Sequence, residues 1–451
     1  MERERLKSRL GFILLSAGCA IGIGNVWKFP YMAGQYGGAI FVLIYLVFLV
    51  LIGIPAMTIE FALGRASQKS PAMLYQQLEK KGQKWHLHGY VAYFGNFLLM
   101  MFYTVVTGWM LQYFVKMIKG DFVSLSSTDI EGVFSNMLAS PVSLFVFTAI
   151  VVISGFFICS KGVQNGVEKI TKFMMLALLS IMIILAINSA FLKGGSEGLK
   201  FYLKPDVSKV KEIGLANIIV GAMNQAFFTL SIGVGSMAIF GSYIGRERSL
   251  LGESVNVALL DTFVALCSGF IIFPACFAYG VDVGQGPSLI FITLPNIFNN
   301  MPLGRLWGSL FFMFMFFAAF STVIAVFENI ISCTLDVFKC SRKKACFICG
   351  ILMCIMVLPC ILGFSVLKGI TPMGEGSTIM DLEDFVISNL ILPAGALCYV
   401  VFSTVRYGWG WKKFTEEANF GKGLKVANWM RYYMAFVLPV IIFVILLVGI
   451  L

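Results

Sequence analysis

Gly18-Cys-Ala-Ile-Gly-Ile-Gly-Asn-Val-Trp-Lys-Phe-Pro30 stands two turns inside the first long apolar segment of a 451-residue chain. A helix that crosses a bilayer must satisfy every backbone group internally, and three glycines within seven residues, followed by Asn25 and Pro30, oppose a continuous helix here. The stretch therefore predicts a break at mid-membrane. Such a break frees N–H and C=O groups at a cost of several kcal/mol each unless they line a cavity that holds an ion or polar solute. A plainer alternative is that Gly18 and Gly22, spaced GxxxG, let two helices approach closely. Further along, Ile232-Gly-Val-Gly-Ser236 repeats the pattern of Ile21-Gly-Ile-Gly-Asn25 inside another long apolar segment. Two broken helices at equivalent places of two halves point to a binding site near the membrane midplane.

Composition agrees with a membrane solvent. Hydrophobic residues make up 59% of the chain and charged residues only 13%, with apolar runs longer than a bilayer core requires. The fold class expected is an all-α polytopic membrane protein. The net charge of +11 sits mainly in short connections between apolar runs, where the positive-inside rule accounts for it without nucleic acid. Eleven cysteines are scattered. Cys346 and Cys349 form the one CxxC, and both enter an apolar helix with no histidine nearby, which favours structural thiols over a metal site. The two histidines, His86 and His88, are read as lying in a solvated cytoplasmic loop with the run Gln76–Lys84, which leaves no basis for a histidine-centred catalytic or metal site. No signal-peptide pattern is read at the N-terminus.

Eleven transmembrane helices are expected, at about 10–36, 39–65, 88–118, 141–159, 166–190, 214–243, 252–281, 304–335, 344–367, 382–406 and 431–450. Basic connections at 66–87, 160–172, 339–344 and 407–430 fall on one side, and Arg3, Arg5, Lys7 and Arg9 precede the first span. This places the N-terminus in the cytoplasm of a multi-pass protein of the plasma membrane. Five lysines in 193–211 weaken the pattern. The segment 285–303, with Gly284 just before it and Gly286, Pro287, Pro295 and Pro302 within it, reads as an external loop long enough for a short helix or lid. Residues 1–190 form a first repeat of five spans and 191–406 a second, with 407–451 a cytoplasmic loop and the eleventh span. An odd number of spans per half makes this a 5+5 inverted repeat in which helices 1 and 6 are broken.

Asp261, deep in the seventh span, is costly to insert and is therefore a functional candidate, with Asn25, Gln225 and Thr229 as companions. Oxygen ligands of this kind suit a hard cation, and Na+ fits better than a transition metal. A proton-relay carboxylate, or an aspartate bonded to a neighbouring helix, is the alternative. Ser321 and Thr322 interrupt an almost purely apolar span, although such hydroxyls often bond back to their own helix. Glu60 reads equally as a packing partner, and Tyr103 places a phenol inside the bundle where its hydroxyl wants a partner. Lys28 and Asp384 are placed to pair across an external entrance, or to be ordinary end residues.

Taken together, Arg9-Leu-Gly-Phe-Ile13, Gly18-x-Ala-x-Gly-x-Gly-Asn25, Phe29-Pro30, Gly53-Ile-Pro55 with Glu60 and Gly64-Arg65, Gln225-x-Phe-Phe-Thr-Leu-Ser231 and Ser268-Gly-Phe270 resemble the neurotransmitter:sodium symporters from about residue 8 to residue 406. The length is similar to that of the short bacterial amino-acid transporters of that family. The resemblance implies a sodium-coupled amino-acid symporter, not an enzyme, using one or two Na+ and no organic cofactor. It implies a first sodium site of the Ala20 carbonyl, Asn25, Thr229 and Asp261, completed by the substrate carboxylate. A second would use the Gly18, Ile21 and Ala318 carbonyls with Ser321 and Thr322. The substrate carboxylate would meet the Ile23 and Gly24 amides and the Tyr103 hydroxyl, at a half-helix N-terminus that favours an anion. Its ammonium would face carbonyls near Ala20, Phe228 and Thr229 with the Ser231 side chain. Leu99, Phe102, Phe228, Val234, Thr322 and Val326 would line the side-chain pocket. Val234 stands where the bacterial leucine transporter has phenylalanine, which favours bulky hydrophobic or aromatic substrates.

The same resemblance implies outer gates of Lys28 with Asp384 and Tyr103 with Phe228, and inner gates of Arg3 with Asp336 and Tyr243 with Glu328. Chloride-dependent relatives have neutral residues at the positions of Asp261 and Ala265, so the fixed carboxylate implies chloride independence. Leu176 stands where relatives carry a proline ten residues after Gly166, which argues against release through an unwound fifth span. The partners implied are an amino acid and the lipid bilayer, with no nucleic acid and no obligatory protein partner. A non-transporting amino-acid sensor of the same fold is the rival reading. A membrane-embedded enzyme is disfavoured, because neither a nucleophile–base pair nor an HExxH-like motif is present.

Overall fold

Where the sequence alternates long apolar runs with short polar connections, the structure, a computed structural model that describes residues 4–280 and 288–450, has helices. Nine helices among the described residues are long and apolar enough to cross a membrane. They are α3 (Ala39–Ser67), α4 (His86–Lys119), α5 (Pro141–Ser160), α6 (Val163–Ala190), α9 (Leu250–Ala278), α10 (Gly304–Phe338), α11 (Arg342–Leu362), α12 (Ile379–Thr404) and α13 (Met430–Ile450). A tenth is the pair α1 (Arg9–Ala20) and α2 (Gly24–Gln35), bent by 58° between its halves. The remaining expected span is shorter and interrupted: α7 (Leu215–Thr229) stops, six residues run without helix, and α8 (Ser236–Gly241) resumes.

Both interruptions have a backbone cause. Between α7 and α8, Ser231, Gly233 and Gly235 have φ of 51°, 112° and 77°, values that no helix contains. Gly233 is also required by space, because a Cβ there would stand 2.1 Å from the Leu392 carbonyl oxygen. Between α1 and α2 the chain leaves the helix at Ile21, whose ψ is 103°, and re-enters through a wide turn at Gly24–Lys28.

The two interrupted helices lie in the interior. α1 packs on α10, α9 and α6, while α7 lies along α3 and α8 against its later half. α10 runs beside α4 for much of their length, and the two form the most buried part of the bundle. α13 packs mainly on α12, with lesser contacts to α3 and α7, and is the least buried of the spans.

Several expectations change here. Residues 289–300 are helical, as expected of the segment before α10, with Leu289–Phe291 and Ile297 buried; Gly284, Gly286 and Pro287 lie outside the described residues. The run Gln76–Lys84 is not wholly a loop, because Pro71–Leu78 is a helix started by proline at its first position. His86 and His88 are not loop residues either. They open α4, where the His88 ring sits edge-on between Tyr75 and Tyr399 and its Nδ1 lies 2.8 Å from the Tyr75 hydroxyl. In the lysine-rich 193–211, two of the five lysines pair with acids one turn away, Lys200 with Glu197 and Lys209 with Glu212.

Candidate functional site

Leaving the helix at Ile21 exposes the last carbonyls of α1, and side chains from α10 close on them. The Ser321 hydroxyl lies 2.9 Å from both the Gly18 and Ala318 oxygens. Thr322 Oγ1 lies 3.2 Å from the Gly18 oxygen, 3.3 Å from that of Cys19, 3.1 Å from that of Ile21 and 3.5 Å from that of Ala318. Two hydroxyl protons cannot serve four carbonyls, so this buried cluster is richer in acceptors than in donors. The pull toward a neighbouring helix also answers the plainer reading of these hydroxyls, which is bonding only to their own turn.

A second cluster forms on the other side of the break. Asp261 of α9 is fully buried and accepts from Asn25 Nδ2 at 2.8 Å and from the Thr229 hydroxyl at 3.1 Å. Asn25 Nδ2 also reaches Thr229 Oγ1 at 3.0 Å, while Asn25 Oδ1 accepts the Gly22 N–H at 3.1 Å. The Asn25 carbonyl takes the Ser268 hydroxyl at 2.7 Å. Gln225, expected beside Asp261, instead donates to the Gly24 carbonyl at 2.9 Å. A lone carboxylate held by neutral partners in a dry interior is costly unless a cation joins it, since neutral hydrogen bonds only partly replace water.

At the freed N-terminal end of α2 the Tyr103 hydroxyl accepts the Ile23 N–H at 3.1 Å. Gly22 faces the same place, and a Cβ there would stand 2.2 Å from the Tyr103 oxygen and 2.8 Å from Thr322 Oγ1. Gly24 lies under Phe228, whose ring a Cβ would meet at 3.2 Å. Ser231 turns toward α1 and donates to the Cys19 carbonyl at 3.3 Å. Leu99 is one turn before Tyr103 on α4 and Phe102 beside it; Val326 is one turn beyond Thr322 on α10, and Val234 lies in the second break. All four are buried.

The second break is clamped by Asn96 and Asn329, which sequence reasoning did not single out, and by Glu60, which it did. The Val234 carbonyl accepts from Asn96 of α4 at 3.0 Å and from Asn329 of α10 at 3.3 Å, and Asn329 also donates to Asn96 Oδ1 at 3.0 Å. Glu60, read from sequence as a packing partner, accepts the Gly233 N–H at 2.6 Å. Polarity at depth was the available signal for all three residues.

The expected gates are partly assembled. Tyr243 donates to Glu328 at 2.7 Å, and Glu328 further takes both guanidinium ends of Arg342 at 2.7 and 2.9 Å, a partner the sequence did not suggest. Arg3 lies outside the described residues; Asp336 accepts the Ser70 N–H at 2.7 Å. Lys28 does not meet Asp384. Its ammonium sits 4.0 Å from the centre of the Phe228 ring, where the negative π-face attracts it, and Asp384 accepts from Ser388 one turn on at 2.7 Å. Tyr103 and Phe228 make no ring contact among the described residues; Tyr103 packs edge-on to Phe102.

An all-helical bundle with two interrupted helices meeting around buried oxygens is the architecture of a membrane carrier. The chain belongs to the sodium:neurotransmitter symporter family, whose model matches residues 3–126 and 120–451. It is 33% identical to the sodium-dependent transporter YhdH of Bacillus subtilis over 98% of this chain and 97% of that one. It is 25% identical to the human sodium- and chloride-dependent taurine transporter over 98% of this chain and 77% of that one. Its fold is similar to the crystal structure of MhsT in complex with L-phenylalanine, with a TM-score of 0.88 and 36% identity over 99% of this chain and all of the other. The protein is therefore a multi-pass membrane transporter that uses sodium, and not an enzyme.

Proposed function

We propose that the chain moves a bulky hydrophobic or aromatic L-amino acid into the cell with one or two Na+, without chloride, by alternating access. The observation that carries this reading is the position of Asp261, wholly buried against Asn25 and Thr229 at the first break. One ion is held by Asn25, Thr229, Asp261 and the Ala20 carbonyl, with the substrate carboxylate as a further ligand. The other is held by the Gly18, Ile21 and Ala318 carbonyls with Ser321 and Thr322, where acceptors already outnumber donors. The substrate carboxylate takes the Ile23 and Gly24 amides and the Tyr103 hydroxyl, and the ammonium takes carbonyls near Ala20, Phe228 and Thr229 with Ser231. The side chain rests among Leu99, Phe102, Phe228, Val234, Thr322 and Val326. MhsT, which was crystallised with L-phenylalanine, supports a substrate of this class.

Coupling follows from electrostatics. Without cations the carboxylate and the freed carbonyls are under-satisfied, so ions and substrate bind best together and shift the population toward a closed form. The fixed charge of Asp261 replaces a mobile anion. The outer entrance is lined by Lys28 over Phe228, and the inner side is latched by Tyr243, Glu328 and Arg342. The two halves, 1–190 and 191–406, are inverted repeats in the plasma membrane, with the N-terminus cytoplasmic. Neither nucleic acid nor a protein partner is needed.

Reconstitution in liposomes with an imposed Na+ gradient and labelled tyrosine, tryptophan, leucine and alanine tests this. Phenylalanine-sized substrates should accumulate against their gradient in gluconate as in chloride. Binding without accumulation would favour a sensor, and preference for alanine would overturn the pocket assignment.

A further inference from the structure

Far from the site, α5 and α11 leave a groove of about 660 Å³. Its walls include Ile153, Phe157, Phe347 and Ile351, which are 63%, 61%, 70% and 49% exposed, so the groove opens away from the bundle core. Its floor is Phe156, and Gly350 approaches that ring so closely that an added Cβ would meet it at 3.5 Å. Along α5 it runs from Phe145 to Ser160 and along α11 from Leu358 back to Lys343, about 22 Å at 1.5 Å per residue. Within a bilayer such a slot accepts a hydrocarbon chain.

The groove is polar at one end only. There Ser160 and Lys343 line it, and Lys161 lies beside it with its ammonium 4.6 Å from the centre of the Phe157 ring. Neither lysine has a carboxylate within ion-pair distance among the described residues. Arg342 is committed to Glu328, and the nearby Glu4 is tied to the Val163 N–H and lies 3.8 Å from Arg342. A chain-wide apolar slot with two ammonium groups free of carboxylate partners at its mouth matches an anionic phospholipid, whose phosphate is joined through glycerol to an acyl tail of that width. A second copy of the protein fits poorly. A two-fold axis along the membrane normal would bring Lys161 and Lys343 of both copies to the same side, with like charges facing.

We propose that this groove is a binding site for an anionic phospholipid, with one acyl chain laid between α5 and α11 and the phosphate between Lys161 and Lys343.

Native mass spectrometry of the full-length protein in detergent, equilibrated with dioleoyl-phosphatidylglycerol or with the phosphatidylcholine of the same chains, tests it. The phosphatidylglycerol adduct should dominate, and Lys161→Gln and Lys343→Gln should each lower the preference about fivefold, the share of one surface lysine. Gly350→Trp fills the slot and should abolish retention of both lipids while leaving Na+-dependent phenylalanine binding intact, which certifies its fold. Equal retention of the two lipids by the unaltered protein would overturn the proposal. So would undiminished retention by a correctly folded Gly350→Trp, or a lipid-independent dimer lost on that substitution.

Discussion

Asp261→Asn preserves the shape of the side chain and removes its charge. In the structure the carboxylate is fully buried and, among the described residues, accepts hydrogen bonds from the Asn25 amide at 2.8 Å and the Thr229 hydroxyl at 3.1 Å. A unit charge and Na+ about 4 Å apart attract by about 4 kcal/mol at an effective dielectric constant near 20. The variant should therefore lose roughly a thousandfold in Na+ affinity when no permeant anion is present. Without sodium the sign reverses, because a buried, under-compensated carboxylate is itself destabilising. The sodium-free variant should melt no lower than the unaltered protein. The assay is thermal melting of purified protein across a Na+ titration, in gluconate and again in chloride, paired with uptake into proteoliposomes. Sodium should raise the melting temperature of the unaltered protein as a ligand bound to the folded state does. It should leave the variant flat in gluconate and partly recovered in chloride, where a mobile anion takes the place of the lost charge. An Asp261→Asn protein that keeps its ordinary sodium response in gluconate would refute the assignment.

Other consequences follow from the same geometry. Thr322→Val removes the hydroxyl set among the Gly18, Cys19 and Ile21 carbonyls at nearly constant volume, and should lower apparent Na+ affinity at least tenfold, read from Na+-dependent uptake. Gly22→Ala places a methyl against the Tyr103 hydroxyl and Thr322 and should abolish substrate binding measured by scintillation proximity. Gly132→Ala, in a helix with open space at that position, should leave binding unchanged and raise stability by about 0.4–1 kcal/mol. Arg65→Met leaves Glu417 buried without the guanidinium that binds it at 2.7 Å, although Arg246 remains on its other oxygen. Because Arg246 still compensates the charge, that substitution should cost about 1–3 kcal/mol, seen as a drop in melting temperature.

Much of this architecture was readable because membrane solvent leaves few options. Glycine and asparagine inside Gly18–Asn25, and again the glycines of Ile232–Ser236, predicted the two breaks, since only a cavity tolerates freed backbone groups there. Asp261, Ser321 and Thr322 stood out by polarity; Asp261 meets Asn25 and Thr229, while Ser321 and Thr322 close on the carbonyls at the end of α1. The same rule would have flagged Asn96 and Asn329, whose amides clamp the Val234 carbonyl, but their partner is a backbone atom 138 and 95 residues away and leaves no local pattern. The entrance was harder. Lys28 is long and flexible, and whether it meets a ring or a carboxylate depends on the long-range placement of Phe228 and Asp384. His88 was misread as solvated because its packing on Tyr75 and Tyr399, far apart in sequence, leaves no local signal.

α10 carries Ser321 and Thr322 at one level and, about two turns later, Glu328 and Asn329. It is unbroken helix throughout, so these groups are fixed to one rod at a spacing of about 10 Å. Whatever is felt at the upper level reaches the lower one without relative displacement. In the cycle proposed above, movement would be taken up by its packed neighbours α1 and α8, each of which ends at an interruption. In that cycle α10 would be the stator, and its stiffness would matter to transport as much as the two breaks do.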